Sequence, residues 1–147
     1  GKVISSVSYF HASKGQDGQH GNKAAETLQK YDIPVEILNA IRKHEVAYQF
    51  GKINAATYEN HFVKNGFSDS QQKFIVAASY VDTMASLGED GNPDLSNFIN
   101  LIYSRQNFML IQSYVNSGAV FRENDLAFLK KQDKVLTDED VKYLSSR

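Results

Sequence analysis

The chain contains no cysteine and no tryptophan, and only two of its 147 residues are proline. The absence of cysteine excludes disulfides, thiolate metal sites and a cysteine nucleophile. Any metal or acid–base chemistry must therefore come from carboxylates and from four histidines, His11, His20, His44 and His61. A chain without cysteine is compatible with the cytosol, and we expect a cytoplasmic protein.

The chain also lacks an excess of charge of either sign and a long apolar run. Lys and Arg total 16 against 17 Asp and Glu, a net charge of −1, which argues against a dedicated nucleic-acid binder. No stretch approaches the roughly 18 apolar residues that a membrane span requires, so we expect no membrane partner. The length favours one domain over residues 1–147.

Apolar residues recur at intervals of three and four rather than two, which is typical of α-helices. Helices are predicted over about 20–31, from Pro34 onward, over about 55–65 and 70–87, as one long or broken helix after 95, and after Thr137. Gly66 and Gly118 are predicted helix ends, and residues 88–94 a loop. The sequence thus predicts an all-α domain of about seven helices. Aromatic residues of the C-terminal part are expected in the core: Phe98, Tyr103, Phe108, Tyr114, Phe121 and Phe128.

Two polar residues fall on the apolar faces of predicted helices. His44 shares a stripe with Ile37, Ile41 and Tyr48, and Asp82 lies on the inward face of the helix over 70–87. That face was expected to include Phe74, Ile75, Ala78 and Ala85. A buried carboxylate costs several kcal/mol unless it meets a cation, a metal ion or strong donors, and a histidine on a facing helix is one natural partner.

The two residues can form a structural core pair or a functional one, and both interpretations stay open at this point. His11 and His20 flank a polar loop, and helix ends around a loop can converge as metal sites require. His61 is expected to be a surface or half-buried histidine without a binding role.

Four features occur in a characteristic order: residues 10–15 (FHASKG), His20, residues 28–44 (LQKYDIPVEILNAIRKH) and residues 81–85 (VDTMA). Together they resemble the HD superfamily of metal-dependent phosphohydrolases. The family pattern is a His-Asp doublet, a loop with a lysine, a histidine that opens a helix, an Ile-Pro helix that ends in histidine, and a late aspartate. The resemblance covers about residues 7–87 and implies an HD-domain-like bundle, with further helices over 95–147.

The resemblance implies a divalent metal ion (Zn, Mn, Fe or Ni) held by His11, His20, His44 and Asp82. It also implies that Lys14 assists the phosphate of a nucleotide or other phosphorylated small molecule. Ala12 stands where the family has the doublet aspartate, and residues 1–10 contain no counterpart of the family's first histidine. Asp17, in the loop, is the candidate replacement for the missing carboxylate.

Two other hypotheses remain beside the enzyme. One is a catalytically silent HD-like helical module that serves regulation or protein–protein interaction, with a protein partner. The other is an unrelated helical bundle whose resemblance to the family is accidental.

Overall fold

A computed structural model describes residues 20–118, 123–132 and 136–146. Over these residues the chain is α-helical and has no strand, which confirms the expected all-α class. The helices are α1 (His20–Leu28), α2 (Val35–Lys43), α3 (Ala55–Tyr58), α4 (Asp69–Ala85), α5 (Ser96–Asn116), α6 (Glu123–Gln132) and α7 (Asp138–Ser145). None of these helices combines the length and the apolar character that would let it cross a membrane.

Local chemistry explains where the helices begin and end. The side chains of Asn54, Ser68 and Thr137 each accept a backbone N–H at the start of α3, α4 and α7. Gly66 and Gly118 have φ angles of +77° and +70°, the left-handed conformation that glycine adopts most readily, and they follow helical segments as expected. Three of the predicted boundaries therefore rest on identifiable hydrogen bonds.

Two short non-α segments lie next to the helices that matter below. A 3₁₀ turn, Val46–Gln49, follows α2, and a π-helical turn, Glu59–Val63, continues directly from α3. The wider π turn keeps Tyr58 and Phe62 in the core, with their rings stacked 4.4 Å apart. His61 lies on this turn and is half-buried.

The core has two parts, and α2 packs against helices of both. A smaller cluster between α1 and α2 is built on Ala24, Ala25, Leu38 and Ile41. The larger cluster joins α3, α4, α5 and α7; its largest members are Phe50, Tyr58, Phe62 and Phe108. Because α2 contacts both α1 and α4, the end of α2 lies where the smaller cluster meets α4.

Several burial predictions were wrong. Tyr48 is 55% exposed, because α2 ends at Lys43 and the 3₁₀ turn no longer continues its face. Ala85, in the last turn of α4, is exposed, and Phe128 on α6 is 61% exposed. Of the C-terminal aromatic residues Phe108 is buried, Phe98, Tyr103 and Tyr114 are partly buried, and Phe121 lies outside the described residues. α5 is a single unbroken helix, and α1 ends three residues before the predicted position.

Candidate functional site

His44 and Asp82 lie together inside the molecule. His44 caps the C-terminal end of α2 and is 0% exposed; Asp82, in the last turn of α4, is 2% exposed. His44 Nε2 is 3.8 Å from Asp82 Oδ1. The pairing of a buried carboxylate with a histidine on a facing helix is thus as the sequence pattern indicated.

The backbone of α2 fixes the orientation and tautomer of the His44 ring. His44 Nδ1 lies 2.5 Å from the carbonyl oxygen of Ile41. Because a carbonyl oxygen only accepts, Nδ1 must carry the proton, and in the neutral ring Nε2 then carries the lone pair. Metal-ligating histidines are commonly held in this way, with the other ring nitrogen donating to a backbone carbonyl.

The separation of 3.8 Å is too long for a direct hydrogen bond between Nε2 and the carboxylate. Two ligands with bonds of about 2.1 Å to one metal at a tetrahedral angle are about 3.4 Å apart. The two side chains therefore fit, in donor type and in spacing, a pair of ligands to one divalent ion. They equally fit a protonated His44 beside an ionised Asp82, since either state balances the buried negative charge.

Ser79 adds an observation to the same face of α4. It lies one turn before Asp82, it is 0% exposed, and its Oγ has no hydrogen-bond partner among the described residues. A buried hydroxyl without a partner costs about 1–3 kcal/mol, so such groups occur where a further ligand or water completes them. This oxygen is therefore a buried polar group on α4, one turn before Asp82, that is able to accept or donate a further hydrogen bond.

The other residues of the expected metal centre are placed only in part. His20 is the first residue of α1, and its neighbour Gly21 lies against α2. His11, Lys14 and Asp17 lie outside the described residues. Within residues 20–118, 123–132 and 136–146, no three His, Asp or Glu side chains converge as a metal-binding group. The metal-binding and catalytic roles of these residues stay predictions.

Gly21 allows α1 to approach the end of α2 closely. A Cβ atom at this position would lie 2.7 Å from the carbonyl oxygen of Ile41 and 3.3 Å from His44 Cε1. The first distance is shorter than van der Waals contact allows, and the atom opposite belongs to the backbone, which moves at a cost. Only glycine fits at this position without displacing the backbone, and it lets the start of α1 lie against the His44 ring.

A depression of about 140 Å³ opens beside this contact, and Gly21 is part of its wall. We call it the basic depression; its polar lining residues are Asn22, Arg42, Lys43, Glu45, Gln49 and His61. Neither Arg42 nor Lys43 forms an ion pair with any described residue. The lining therefore presents two cations and a histidine against one carboxylate.

Burial affects the titration of two groups in the basic depression. It lowers the pKa of the Lys43 amine below its ordinary value. Burial also lowers the pKa of His61, and the nearby Lys43 charge lowers it further. Both shifts disfavour the protonated form, because burial removes hydration from the charged group.

Sequence reasoning missed the basic depression. His61 was assigned no binding role, and Arg42 and Lys43 were not considered as binding residues. Their convergence depends on the π-helical turn that carries His61 and on the close approach at Gly21. The adjacency of Lys43 to His44 in the sequence was the only available signal.

Two further polar clusters lie in the larger core. Asp140, 1% exposed, accepts hydrogen bonds from Ala55 N–H and from the Asn107 amide, each at 2.8 Å, and so fastens α7 to α3 and α5. The hydroxyl of buried Tyr58 donates to Gln72 Oε1 at 2.7 Å and accepts from Arg105, whose guanidinium also binds Asp69. Burial raises the pKa of Tyr58 although Arg105 opposes it. Both clusters join helices from distant parts of the chain.

Comparison of the chain with known protein families, with curated proteins and with solved structures found no match in any of the three.

Proposed function

We propose that the protein is an HD-like metal-dependent phosphohydrolase that acts on a nucleotide or another phosphate ester. The observation that carries this proposal is the buried His44–Asp82 pair, with Nε2 of His44 directed at the carboxylate from 3.8 Å. The hydrogen bond from Nδ1 to the Ile41 carbonyl supports it, because it presents the lone pair of Nε2 as a metal ligand needs. The resemblance of residues 7–87 to the HD pattern supplies the reaction class.

In this proposal each residue has a separate task. His44 supplies a neutral nitrogen and Asp82 a negative oxygen to a divalent ion, and His11 and His20 complete the ligand set. When bound, such an ion polarises the phosphate and lowers the pKa of water. Asp17 replaces the carboxylate absent at Ala12, and Lys14 compensates the negative charge of the phosphate.

The test is metal content, measured by elemental mass spectrometry on protein purified without chelator. We expect near-stoichiometric Zn, Mn, Fe or Ni in the wild type and at least a tenfold loss in Asp82→Asn, which removes the negative ligand but keeps the side-chain shape. Asp69→Asn is the matched control, because it removes a carboxylate from the exposed start of the same helix. A phosphate-ester screen follows on the metal-loaded wild type.

Equal metal content in Asp82→Asn and Asp69→Asn would contradict the proposal. So would wild-type protein that takes up no metal after incubation with each of the four ions. Circular dichroism of both variants checks that the helices remain.

A second candidate function is a regulatory module that binds protein. Large apolar side chains are exposed on neighbouring α4 and α5, among them Tyr80, Met84, Ile102 and Met109, which are 37–46% exposed. Ile102 and Met109 also line a groove of about 310 Å³ with Lys73 and Arg105. Exposed apolar patches of this kind are common at protein interfaces. A second copy of the chain is the first partner to test, by comparing the mass in solution of the wild type with that of Met109→Lys.

A further inference from the structure

We propose that the basic depression is a subsite for a phosphate group, separate from the His44–Asp82 pair but adjoining it. The inference rests on the proposed function for the identity of the anion, and it adds the residues that hold it: Lys43 as the central charge, with Arg42 and His61 beside it. The depression would then bind the substrate through its phosphate group.

The charges of the lining residues carry the first step. Arg42 and Lys43 are each only partly exposed, and no described carboxylate pairs with either of them. Partly buried cations are normally paired, because the loss of hydration must be compensated. Among the described lining residues Glu45 is the one acid, so this part of the lining has a net positive charge. An anion from outside supplies the missing compensation.

The size and chemistry of the depression select the anion. Its volume of about 140 Å³ is roughly ten times the space that holds one water, which admits a phosphate group. Lys43 is a compact point charge of the kind that binds phosphate oxygens. The side-chain amides of Asn22 and Gln49 add neutral donors to the lining. The described lining offers an apolar ligand little to contact, since Val46 is its one aliphatic side chain.

The position of the depression connects it to the candidate reaction centre. Lys43 immediately precedes His44 in the chain, and Gly21 is shared by the two sites: it lines the depression, and a Cβ on it would lie 3.3 Å from His44 Cε1. An anion bound at Lys43 is therefore next to the ring that faces Asp82. This adjacency is what a phosphate ester needs in order to bind near His44 and Asp82 at the same time.

The experiment is a titration of isotope-labelled, EDTA-treated protein with inorganic phosphate at constant ionic strength, followed by amide NMR shifts. We expect saturable shifts confined to residues 21–22, 42–49 and 61. Lys43→Gln should weaken binding at least tenfold and Arg42→Gln several-fold. Lys30→Gln removes the same charge from an exposed position just after the end of α1, outside the described lining of the basic depression. It should leave the affinity unchanged.

Two further ligands identify the source of the phosphate. A nucleoside monophosphate should shift the same amides as inorganic phosphate, with additional shifts from its nucleoside part, whereas the nucleoside alone should shift none of them. If only inorganic phosphate binds, the subsite serves the free ion, and the inference about the substrate is overturned. Shifts spread over the surface, or equal weakening by Lys43→Gln and Lys30→Gln, would overturn the subsite itself.

The outcome is separable from that of the hydrolase proposal. Local phosphate binding that depends on Lys43 supports the subsite even in a protein that takes up no metal. Conversely, a metal-loaded, active protein whose KM is the same in Lys43→Gln and in wild type contradicts the subsite and leaves the hydrolase intact. The amide spectrum of each variant reports its folding directly, and Arg42→Gln provides a second test should Lys43→Gln unfold.

Discussion

Asp82 and Asp140 are both almost fully buried, and the comparison between them distinguishes two uses of a buried carboxylate. Asp140 has its partners within hydrogen-bond distance: Ala55 N–H and the Asn107 amide lie 2.8 Å from its two oxygens. Asp82 faces the His44 ring at 3.8 Å, one turn from the hydroxyl of Ser79, which lacks a hydrogen-bond partner among the described residues. The first carboxylate connects helices through hydrogen bonds, and the second lies opposite an imidazole on a neighbouring helix.

Burial therefore does not by itself identify a functional carboxylate. The described neighbours differ: Asp140 accepts from a backbone N–H and a side-chain amide at 2.8 Å, and Asp82 lies 3.8 Å from an imidazole. The depressions near the two carboxylates also differ. The basic depression reaches Gly21, beside the His44 ring that faces Asp82, whereas a depression lined by Thr137, Asp138 and Glu139 lies next to Asp140 in the chain. The excess of cations among the described lining residues of the basic depression is the criterion by which we separate binding from architecture.

The largest expected effect is the loss of stability when Asp140 is replaced. Asp140→Ala removes two charge-assisted hydrogen bonds and leaves the buried Ala55 N–H and the Asn107 amide without their acceptor, so we expect a loss of about 3–5 kcal/mol in the free energy of unfolding. Urea denaturation measures it. Metal and phosphate binding should be unchanged wherever the variant is folded.

Glu139→Ala is the matched control for that change. Glu139 accepts from Lys52 Nζ at 2.5 Å and from Asn54 at 2.8 Å, yet its side chain is 54% exposed. Exposed ion pairs contribute about 1 kcal/mol or less, so its loss should be several times smaller. Equal losses of unfolding free energy in Asp140→Ala and Glu139→Ala would mean that the buried hydrogen bonds of Asp140 contribute no more than an exposed ion pair.

A smaller effect is expected at the other end of the comparison. In Gly21→Ala the new methyl group would lie 2.7 Å from the Ile41 carbonyl oxygen, so α1 must move away from α2. We expect a loss of about 1–3 kcal/mol, as for other overpacked contacts, together with weaker phosphate binding. Calorimetry and the phosphate titration measure the two effects.

Gly51→Ala provides the comparison for that substitution, because no atom lies within 4 Å of a Cβ built at Gly51. Its effect on stability should stay within about 0.5 kcal/mol. If both alanine variants were equally stable, the close approach of α1 to His44 would be disproved.

Much of the fold could be predicted from the sequence, because its helices obey local rules. Asn54, Ser68 and Thr137 are typical N-cap residues and Gly66 a typical helix end, so the boundaries near them were close to those observed. The predicted burial of Tyr48 was wrong, because the spacing of apolar residues does not show where a helix ends and a 3₁₀ turn begins. The predicted burial of Phe128 was wrong, because an aromatic residue on a short helix is buried only where another element covers it.

The candidate site was predictable to the extent that it lies on two regular helices. His44 and Asp82 follow the 3.6-residue period of α2 and α4, so their inward direction could be read from spacing. Asp140 was missed, because the first turn of a helix is where exposed acidic residues are also common, and its burial depends on Ala55 and Asn107 from distant parts of the chain. The same long-range dependence concealed the basic depression.

The smallest expected effect concerns an exposed carboxylate, which completes the comparison. Hydrogen bonds from Arg105 and from Lys73 to Asp69 hold the pKa of this carboxyl below its ordinary value of 3.8. A lowered folded-state pKa means that the ionised form stabilises the fold above the unfolded-state pKa, and that this contribution disappears as the pH falls through the folded-state value. Asp69→Asn should therefore lower Tm at pH 7, and the difference from wild type should shrink below about pH 3.8. Since the Asp69 side chain is 55% exposed, water screens its ion pair with Arg105. The change in Tm should therefore be smaller than that caused by Asp140→Ala or by Gly21→Ala. Parallel Tm curves for wild type and Asp69→Asn between pH 7 and pH 2, measured beside Glu26→Gln as a control for charge alone, would contradict this assignment.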